Sequence, residues 1–252
     1  MLNSKTLIIG HRGCKGDVLE NTLESIIQAI EWGADGVEFD VRRCQTGQIV
    51  LFHDETLERL GYKDNFYFDK VRGKTIDKLQ WYHLYNTEMI DSMGKKYKIS
   101  QLVDVLRHPI VYNSGIIINI ELKDTCQEEV CNIITELIDE GLYDPTRFII
   151  SSYDIEAINY VNEFKNDMYE QDDRYKNLGY GLIFHDLMSL NLKEIVGNYI
   201  ILNKDIITHE LLNKLKNIKI FVYTVNSISE YPIPKLDNYV DGIITDRPRQ
   251  FL

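Results

Sequence analysis

Short runs of β-branched residues alternate along this chain with amphipathic stretches, and no other feature constrains its fold so tightly. The strand-like runs are Leu7–Gly10, Gly36–Val41, Ile49–His53, Ile116–Leu122, Arg147–Ser151, Tyr180–Phe184, Tyr199–Leu202, Lys219–Val225 and Gly242–Thr245. Helical patterns fall between most of them, at Thr22–Trp32, Ser100–Arg107, Cys126–Glu140, Asp154–Phe164, Leu190–Val196 and His209–Asn217. The first opens on a capping box, Asn21-Thr22-Leu23-Glu24, the pattern that satisfies orphan amides at a helix start. Strands alternating with helices build βαβ units around a parallel sheet. A closed (β/α)8 TIM barrel runs to about 250 residues, and at 252 residues the chain fits that α/β architecture better than an open sheet.

Nine runs are one too many for such a barrel. Only seven residues, Arg42–Gln48, separate Gly36–Val41 from Ile49–His53, whereas a parallel crossover needs about a dozen. These two runs are expected to form a hairpin turning near Thr46–Gly47, which sets His53 alongside Asp40. Glu55 to Lys98 then breaks the alternation with polar and aromatic residues of weak periodicity. The chain reads as one barrel domain over residues 1–252, with a small inserted segment at about 55–98 after the third strand. The aromatics of that segment, Phe66, Tyr67, Phe68, Trp81, Tyr82 and Tyr85, are expected to form a small local core. Lys165 to Leu178, dense in Asp, Lys, Asn and Tyr, reads as a solvated excursion.

Charge narrows the partners. The chain carries 28 basic against 39 acidic residues, a formal net of −11, with Lys and Arg scattered. Nucleic-acid binders carry a basic surplus or patch, so attraction to nucleic acid or anionic lipid is disfavoured. No apolar run approaches the ~20 residues of a membrane helix, so no stable membrane insertion is expected. The four-residue apolar stretch Leu7–Gly10 is too short for a secretory signal. Cys14, Cys44, Cys126 and Cys131 form neither a CxxC pair nor a dense framework. Free thiols and a cytoplasmic location follow as expectations. No motif specifies an oligomeric state.

Charged and polar residues interrupt the strands at their C-terminal ends, the face on which barrel enzymes place their chemistry. The first run ends in His11-Arg12-Gly13, the second carries Glu38-Phe39-Asp40, the return strand ends in His53-Asp54, and the fourth ends in Glu121-Leu122-Lys123. Strand periodicity points Glu38 and Asp40 to one face and Phe39 to the other, and pairs Glu121 with Lys123 likewise. Three carboxylates converging on a barrel mouth resist ionisation unless a positive charge joins them. A hard divalent cation with oxygen ligands, Mg²⁺ or Ca²⁺, suits that set. His11 and His53 titrate near neutrality and suit a general base and a general acid. Arg12 and Lys123 suit an anionic oxygen cluster. Together these groups fit phosphoryl transfer at a phosphodiester.

In chain order, His11-Arg12-Gly13, Glu20-Asn21-Thr22, Glu38-x-Asp40, His53-Asp54, Glu121-Leu122-Lys123 and Asp241-Gly242-Ile243-Ile244-Thr245-Asp246-Arg247-Pro248 resemble the glycerophosphodiester phosphodiesterase family. Ser151-Ser152-Tyr153 resembles that family's Ser-Phe segment after the fifth strand. The resemblance implies a (β/α)8 barrel with a segment inserted after the His-Asp motif. It implies hydrolysis of a small-molecule glycerophosphodiester to sn-glycerol 3-phosphate and an alcohol, within glycerol and lipid metabolism, with one divalent cation. By residue, it makes Glu38, Asp40 and Glu121 the metal ligands, His11 and His53 the acid–base pair, and Arg12 and Lys123 phosphate contacts. Tyr223-Thr224-Val225-Asn226 stands where the family often has Trp-Thr-Val-Asn, which makes Tyr223 a substrate-binding aromatic lid. Relatives on this barrel include sphingomyelinase D-like and lysophospholipase D-like phosphodiesterases, and a non-catalytic phosphate-ligand binder is a third reading. Direct attack by water and prior attack by the glycerol 2-hydroxyl, giving a cyclic phosphate, both fit these residues.

Overall fold

β-branched side chains favour extended backbone, and all nine runs are strands in the computed structural model, which describes residues 6–188, 195–215, 217–230 and 239–252. The chain opens with β1 (Leu7–His11), α1 (Leu23–Glu31), β2 (Gly36–Arg43) and β3 (Ile49–Leu51). Next come α2 (Phe68–Val71), α3 (Trp81–Asn86), β4 (Glu88–Ile90), β5 (Lys96–Lys98), α4 (Leu102–Leu106) and α5 (Pro109–Asn113). The middle holds β6 (Ile117–Leu122), α6 (Gln127–Asp139), β7 (Phe148–Ser152) and α7 (Ile155–Gln171). The last third holds β8 (Gly179–Phe184), β9 (Tyr199–Asn203), α8 (His209–Lys214), β10 (Lys219–Tyr223) and β11 (Gly242–Thr245).

Eight strands pair in parallel in the order β1, β11, β10, β9, β8, β7, β6, β2, and the β1–β2 pairing closes the barrel. Successive side chains on a strand face opposite ways, so each strand feeds two cores. Ile9, Ile149, Ile183, Tyr199, Ile201, Phe221 and Ile244 fill the barrel interior. Phe39, Ile118, Ile120, Leu122 and Ile150 pack outward among the helices. Along β1 the inward series runs Leu7, Ile9, His11, and along β6 it runs Ile117, Asn119, Glu121. The interior is therefore apolar at its base and ionisable at its C-terminal mouth.

The expected hairpin is present: β3 lies antiparallel to the end of β2, with Val41 opposite Leu51 and Arg43 opposite Ile49. The Phe52 N–H donates to Asp40 O at 3.1 Å, so Phe52 rather than His53 sits alongside Asp40. The inserted segment packs a core, as expected, but mostly from other residues and shared with Cys44, Val50 and Phe52 of the hairpin. Phe68 alone of the six expected aromatics is buried there, with Leu57, Val71, Ile76, Leu79, Leu84, Met89, Tyr97 and Ile99, and with Trp81 packed at its edge. Phe66, Tyr82 and Tyr85 are exposed. β4 and β5, an antiparallel pair within the segment, had no alternating signal strong enough to announce them.

Two further expectations change, and a third is not tested. The solvated excursion is in its first half helix, since α7 runs on to Gln171 before a short 3₁₀ turn at Asp173–Asn177. Thr22, not Asn21, caps α1: its Oγ1 accepts the Ser25 N–H at 3.1 Å, because the Asn21 side chain is engaged elsewhere. The Leu190–Val196 helix falls largely outside the described residues. All four cysteines are buried and free. No helix among the described residues is long and apolar enough to cross a membrane.

Candidate active site

The turn after β1 begins the site. Arg12 (φ +50°) and Gly13 (φ +86°) both take left-handed backbone, and a Cβ at Gly13 would lie 2.4 Å from Ser25 Oγ, so only glycine fits. The turn brings the Arg12 N–H to Glu38 Oε2 at 3.0 Å. The Arg12 guanidinium meets Glu20 Oε1 at 2.5 Å and Asp40 Oδ2 at 3.1 Å. Asn21 (φ +56°) clamps the same strand: its Nδ2 donates to Asp40 Oδ2 at 2.9 Å and its Oδ1 accepts the Asp40 N–H at 3.0 Å. A non-glycine residue in left-handed backbone costs on the order of 1–3 kcal/mol and persists where surrounding contacts over-determine it. Two such residues here are fixed by contacts to Glu38 and Asp40.

One carboxylate oxygen each from Glu38, Asp40 and Glu121 lies within 4.8 Å of the others. The three residues are only 2%, 1% and 9% exposed. Glu38 Oε1 is buried and accepts no hydrogen bond, while the equally buried Asp40 Oδ1 and Glu121 Oε1 have the Lys123 ammonium as their partner. Lys123 Nζ forms ion pairs at this point, 3.2 Å from Asp40 Oδ1 and beside Glu121 Oε1. Burial, then the charges of Asp40 and Glu121, push the Glu38 carboxyl well above the usual carboxylate range. Burial and Asp40 push Glu121 up to about 7. Burial acts on Asp40 in the same sense, but Arg12, Lys123, His53 and the Asn21 hydrogen bond outweigh it and hold its pKa below the ordinary value. Three buried carboxylates that share one ammonium, in an all-oxygen set with no thiolate, fit a hard divalent cation. Arg42 and Arg43, the other cations on β2, face away: Arg42 Nε donates to His53 O at 2.9 Å, and Arg43 pairs with Glu129 at 2.7 Å.

Each histidine is held from behind by an aspartate. His11 Nδ1 lies 2.5 Å from Asp246 Oδ1, and Asp246 is itself held by Asn226 Nδ2 at 2.8 Å. His53 Nδ1 lies 2.7 Å from Asp54 Oδ1, and Asp54 accepts from Arg59 Nε at 2.6 Å. A carboxylate only accepts, so each Nδ1 carries the hydrogen and each Nε2 is the acceptor of the neutral ring. His11 Nε2 lies 3.9 Å from Glu38 Oε2, on the triad side. Burial lowers the pKa of both imidazoles despite the neighbouring carboxylates. Asp246 is moved the other way: burial raises its pKa, but the His11 hydrogen bond and charge outweigh it and hold it at about 2.

These groups line one cavity of about 320 Å³ at the barrel mouth. His11, Arg12, Glu38, His53, Glu121 and Lys123 line one side, and Ile183, Ile201, Ile244, Tyr153 and Tyr223 the other. All eight residues singled out from the sequence therefore converge, Asp40 from behind the wall. Sequence reasoning assigned no part to Asp246, Asp54, Asn21, Asn119, Tyr153 or His185. The first three stood inside the motifs but looked like strand-end or cap residues. Asn119, which accepts from Ser151 Oγ at 2.8 Å beneath the triad, carried no signal beyond being a polar residue in an apolar strand.

Comparison with known proteins bears on the fold and the family. The chain superposes on a Thermotoga maritima glycerophosphodiester phosphodiesterase with a TM-score of 0.69 and 25% identity, covering 99% of this chain and 98% of that one. It shares its fold with an Oleispira antarctica phosphodiesterase solved with the product sn-glycerol 3-phosphate, at a TM-score of 0.73, 21% identity and 98% and 94% coverage. The class is thus that of the barrel phosphodiesterases. A Caldanaerobacter subterraneus glycerophosphodiester phosphodiesterase is 27% identical over 263 residues, 98% of this chain and 97% of its own. A sequence profile of the glycerophosphoryl diester phosphodiesterase family matches residues 11–250, nearly the whole length, and the chain belongs to that family. It is an enzyme, a hydrolase of glycerophosphodiesters.

Proposed function

We propose that the enzyme cleaves glycerophosphodiesters to sn-glycerol 3-phosphate and an alcohol at the barrel mouth, with one divalent cation, Mg²⁺ or Ca²⁺, and with His11 and His53 as its acid–base pair. The observation that carries this reading is the convergence of three buried carboxylates, neutralised at their meeting point by one lysine ammonium alone, with two imidazoles whose Nδ1 atoms are each held by an aspartate. Glu38, Asp40 and Glu121 would hold the cation, which when bound supplies Lewis-acid stabilisation of charge on the phosphoryl oxygens. Arg12 and Lys123 add fixed positive charge along the same wall. Tyr223 and the isoleucines opposite supply the apolar wall against which the diester's carbon skeleton rests.

Proton movement is assigned to the two Nε2 atoms. One imidazole, neutral because burial lowers its pKa, takes the proton of the attacking hydroxyl. A new P–O bond forms as the bond to the alcohol oxygen breaks. The other imidazole, its protonated form favoured by the diester's negative charge, gives its proton to that oxygen. The attacking hydroxyl is water or the adjacent glycerol 2-hydroxyl, and proximity favours the latter. Phosphorus NMR of glycerophosphocholine with the enzyme and Mg²⁺ or Ca²⁺ is expected to show sn-glycerol 3-phosphate, with a transient cyclic phosphate if the internal hydroxyl attacks. Chelation should abolish turnover. Undiminished turnover in chelator, or in Glu121→Gln, contradicts the proposal.

A further inference from the structure

The loop leaving β7 carries Tyr153 to the cavity rim, where it touches both walls. Its hydroxyl lies 2.8 Å from that of Tyr223, and Tyr223 Oη donates onward to Phe184 O at 3.3 Å. With that hydrogen committed, Tyr153 is the donor of the pair. Its ring centroid meanwhile lies 5.4 Å from Lys123 Nζ, within the range of an attractive cation–π contact.

Lys123 has a competing attachment. Its ammonium pairs with Asp40 Oδ1 and Glu121 Oε1, the buried oxygens that a divalent cation would need. An ammonium and a divalent cation repel strongly when they share carboxylates in a buried site. One must yield, and the ring of Tyr153 is the attractive surface already beside the lysine.

We propose that Tyr153 is a positioning residue: its ring holds the Lys123 ammonium at the cavity when a divalent cation takes the carboxylates, and its hydroxyl fixes that ring by bonding Tyr223. The inference rests on the metal-site reading of Glu38, Asp40 and Glu121. It makes Lys123 a tethered competitor of the cation and Tyr153 the group that relieves the competition.

The test is calorimetric titration of Mg²⁺ and Mn²⁺ into the substrate-free full-length protein. Lys123→Met is expected to bind the ion about tenfold more tightly. Tyr153→Leu, which removes the ring, is expected to weaken binding by about twofold to thirtyfold. Tyr153→Phe keeps the ring and should stay within about threefold of the parent. In a Lys123→Met background, Tyr153→Leu should have no effect, because the ammonium it serves is gone. Tyr153 is half exposed, and a far-ultraviolet spectrum checks that each variant is folded. Metal affinity independent of residue 153, or weakened equally with and without Lys123, overturns the inference while leaving the metal site intact. An absence of metal binding in the parent overturns both.

Discussion

The β1–β2–β6 side of the cavity and the β8–β9–β10–β11 side share one backbone design yet differ at their inward positions. His11, Glu38, Asp40 and Glu121 stand on the first, with carboxylate oxygens buried against one another. Ile183, Ile201, Tyr223 and Ile244 stand on the second and continue the barrel's interior core. Burying like charges opposes folding, whereas burying an isoleucine stabilises it by about 1.5–3 kcal/mol. On the proposed reading, chemistry is gathered on three adjacent strands and the hairpin strand beside them, and the strands across the barrel supply stability and the wall for the substrate.

That division can be broken by substitution, beginning with the largest effect. Removing a cation ligand, as in Glu38→Ala or Glu121→Ala, forfeits charge stabilisation of several kcal/mol, or at least about 10⁴ in kcat at ~1.4 kcal/mol per decade. Steady-state kinetics at fixed metal measure it. Replacing one imidazole, His11→Gln or His53→Gln, should cost about 10³ in kcat, with the pH profile losing one limb. Asp246→Asn leaves the His11 ring in place but loosens its orientation and tautomer, and should cost about tenfold to a hundredfold.

Across the barrel the same measurements should move little. Ile201→Ala is expected to change kcat by less than about threefold while lowering unfolding free energy by about 2–5 kcal/mol, as denaturant titration would show. An Ile201→Ala enzyme as damaged in kcat as Glu121→Ala would end the comparison.

The smallest effect sharpens it. Glu121 titrates at about 7 in the fold against about 4.3 in an unfolded chain. Between those values the native state binds more protons than the unfolded one, so this group's contribution to stability falls as pH rises through the window. His11 and His53, with lowered pKa values, act in the opposite sense near pH 6.5, so the comparison is made against Glu121→Gln. Without metal, the parent should lose stability relative to Glu121→Gln as pH rises from about 4.5 to 7. Thermal denaturation across that range measures the difference, and saturating metal should abolish it.

The two sides also differ in how openly the sequence declares them. A carboxylate or histidine at the end of an apolar strand is anomalous, so Glu38, Asp40, Glu121, His11 and His53 could be named from spacing alone. Ile183, Ile201 and Ile244 are ordinary strand residues, and nothing in their pattern separates a cavity wall from core. Asp246 stood in a quoted motif, but its task depends on β11 lying beside β1, a pairing between residues 235 apart in the chain. Asn21 was read as a cap because Asn caps helices well, and only the closed barrel shows that its side chain is spent on Asp40. The barrel was legible because eight strands repeat one pattern. The strands inside the inserted segment were not, because β4 and β5 span only three residues each.

Whether Glu38, Asp40 and Glu121 hold one catalytic cation between His11 and His53 is decided by crystallography of the protein with Mn²⁺, whose anomalous signal locates the ion. One peak bonded to all three carboxylates is expected, with Mg²⁺ at about 2.0–2.1 Å or Ca²⁺ at about 2.3–2.6 Å in the same place. An ion bound elsewhere, or a triad free of metal in crystals that still turn over substrate, would contradict it.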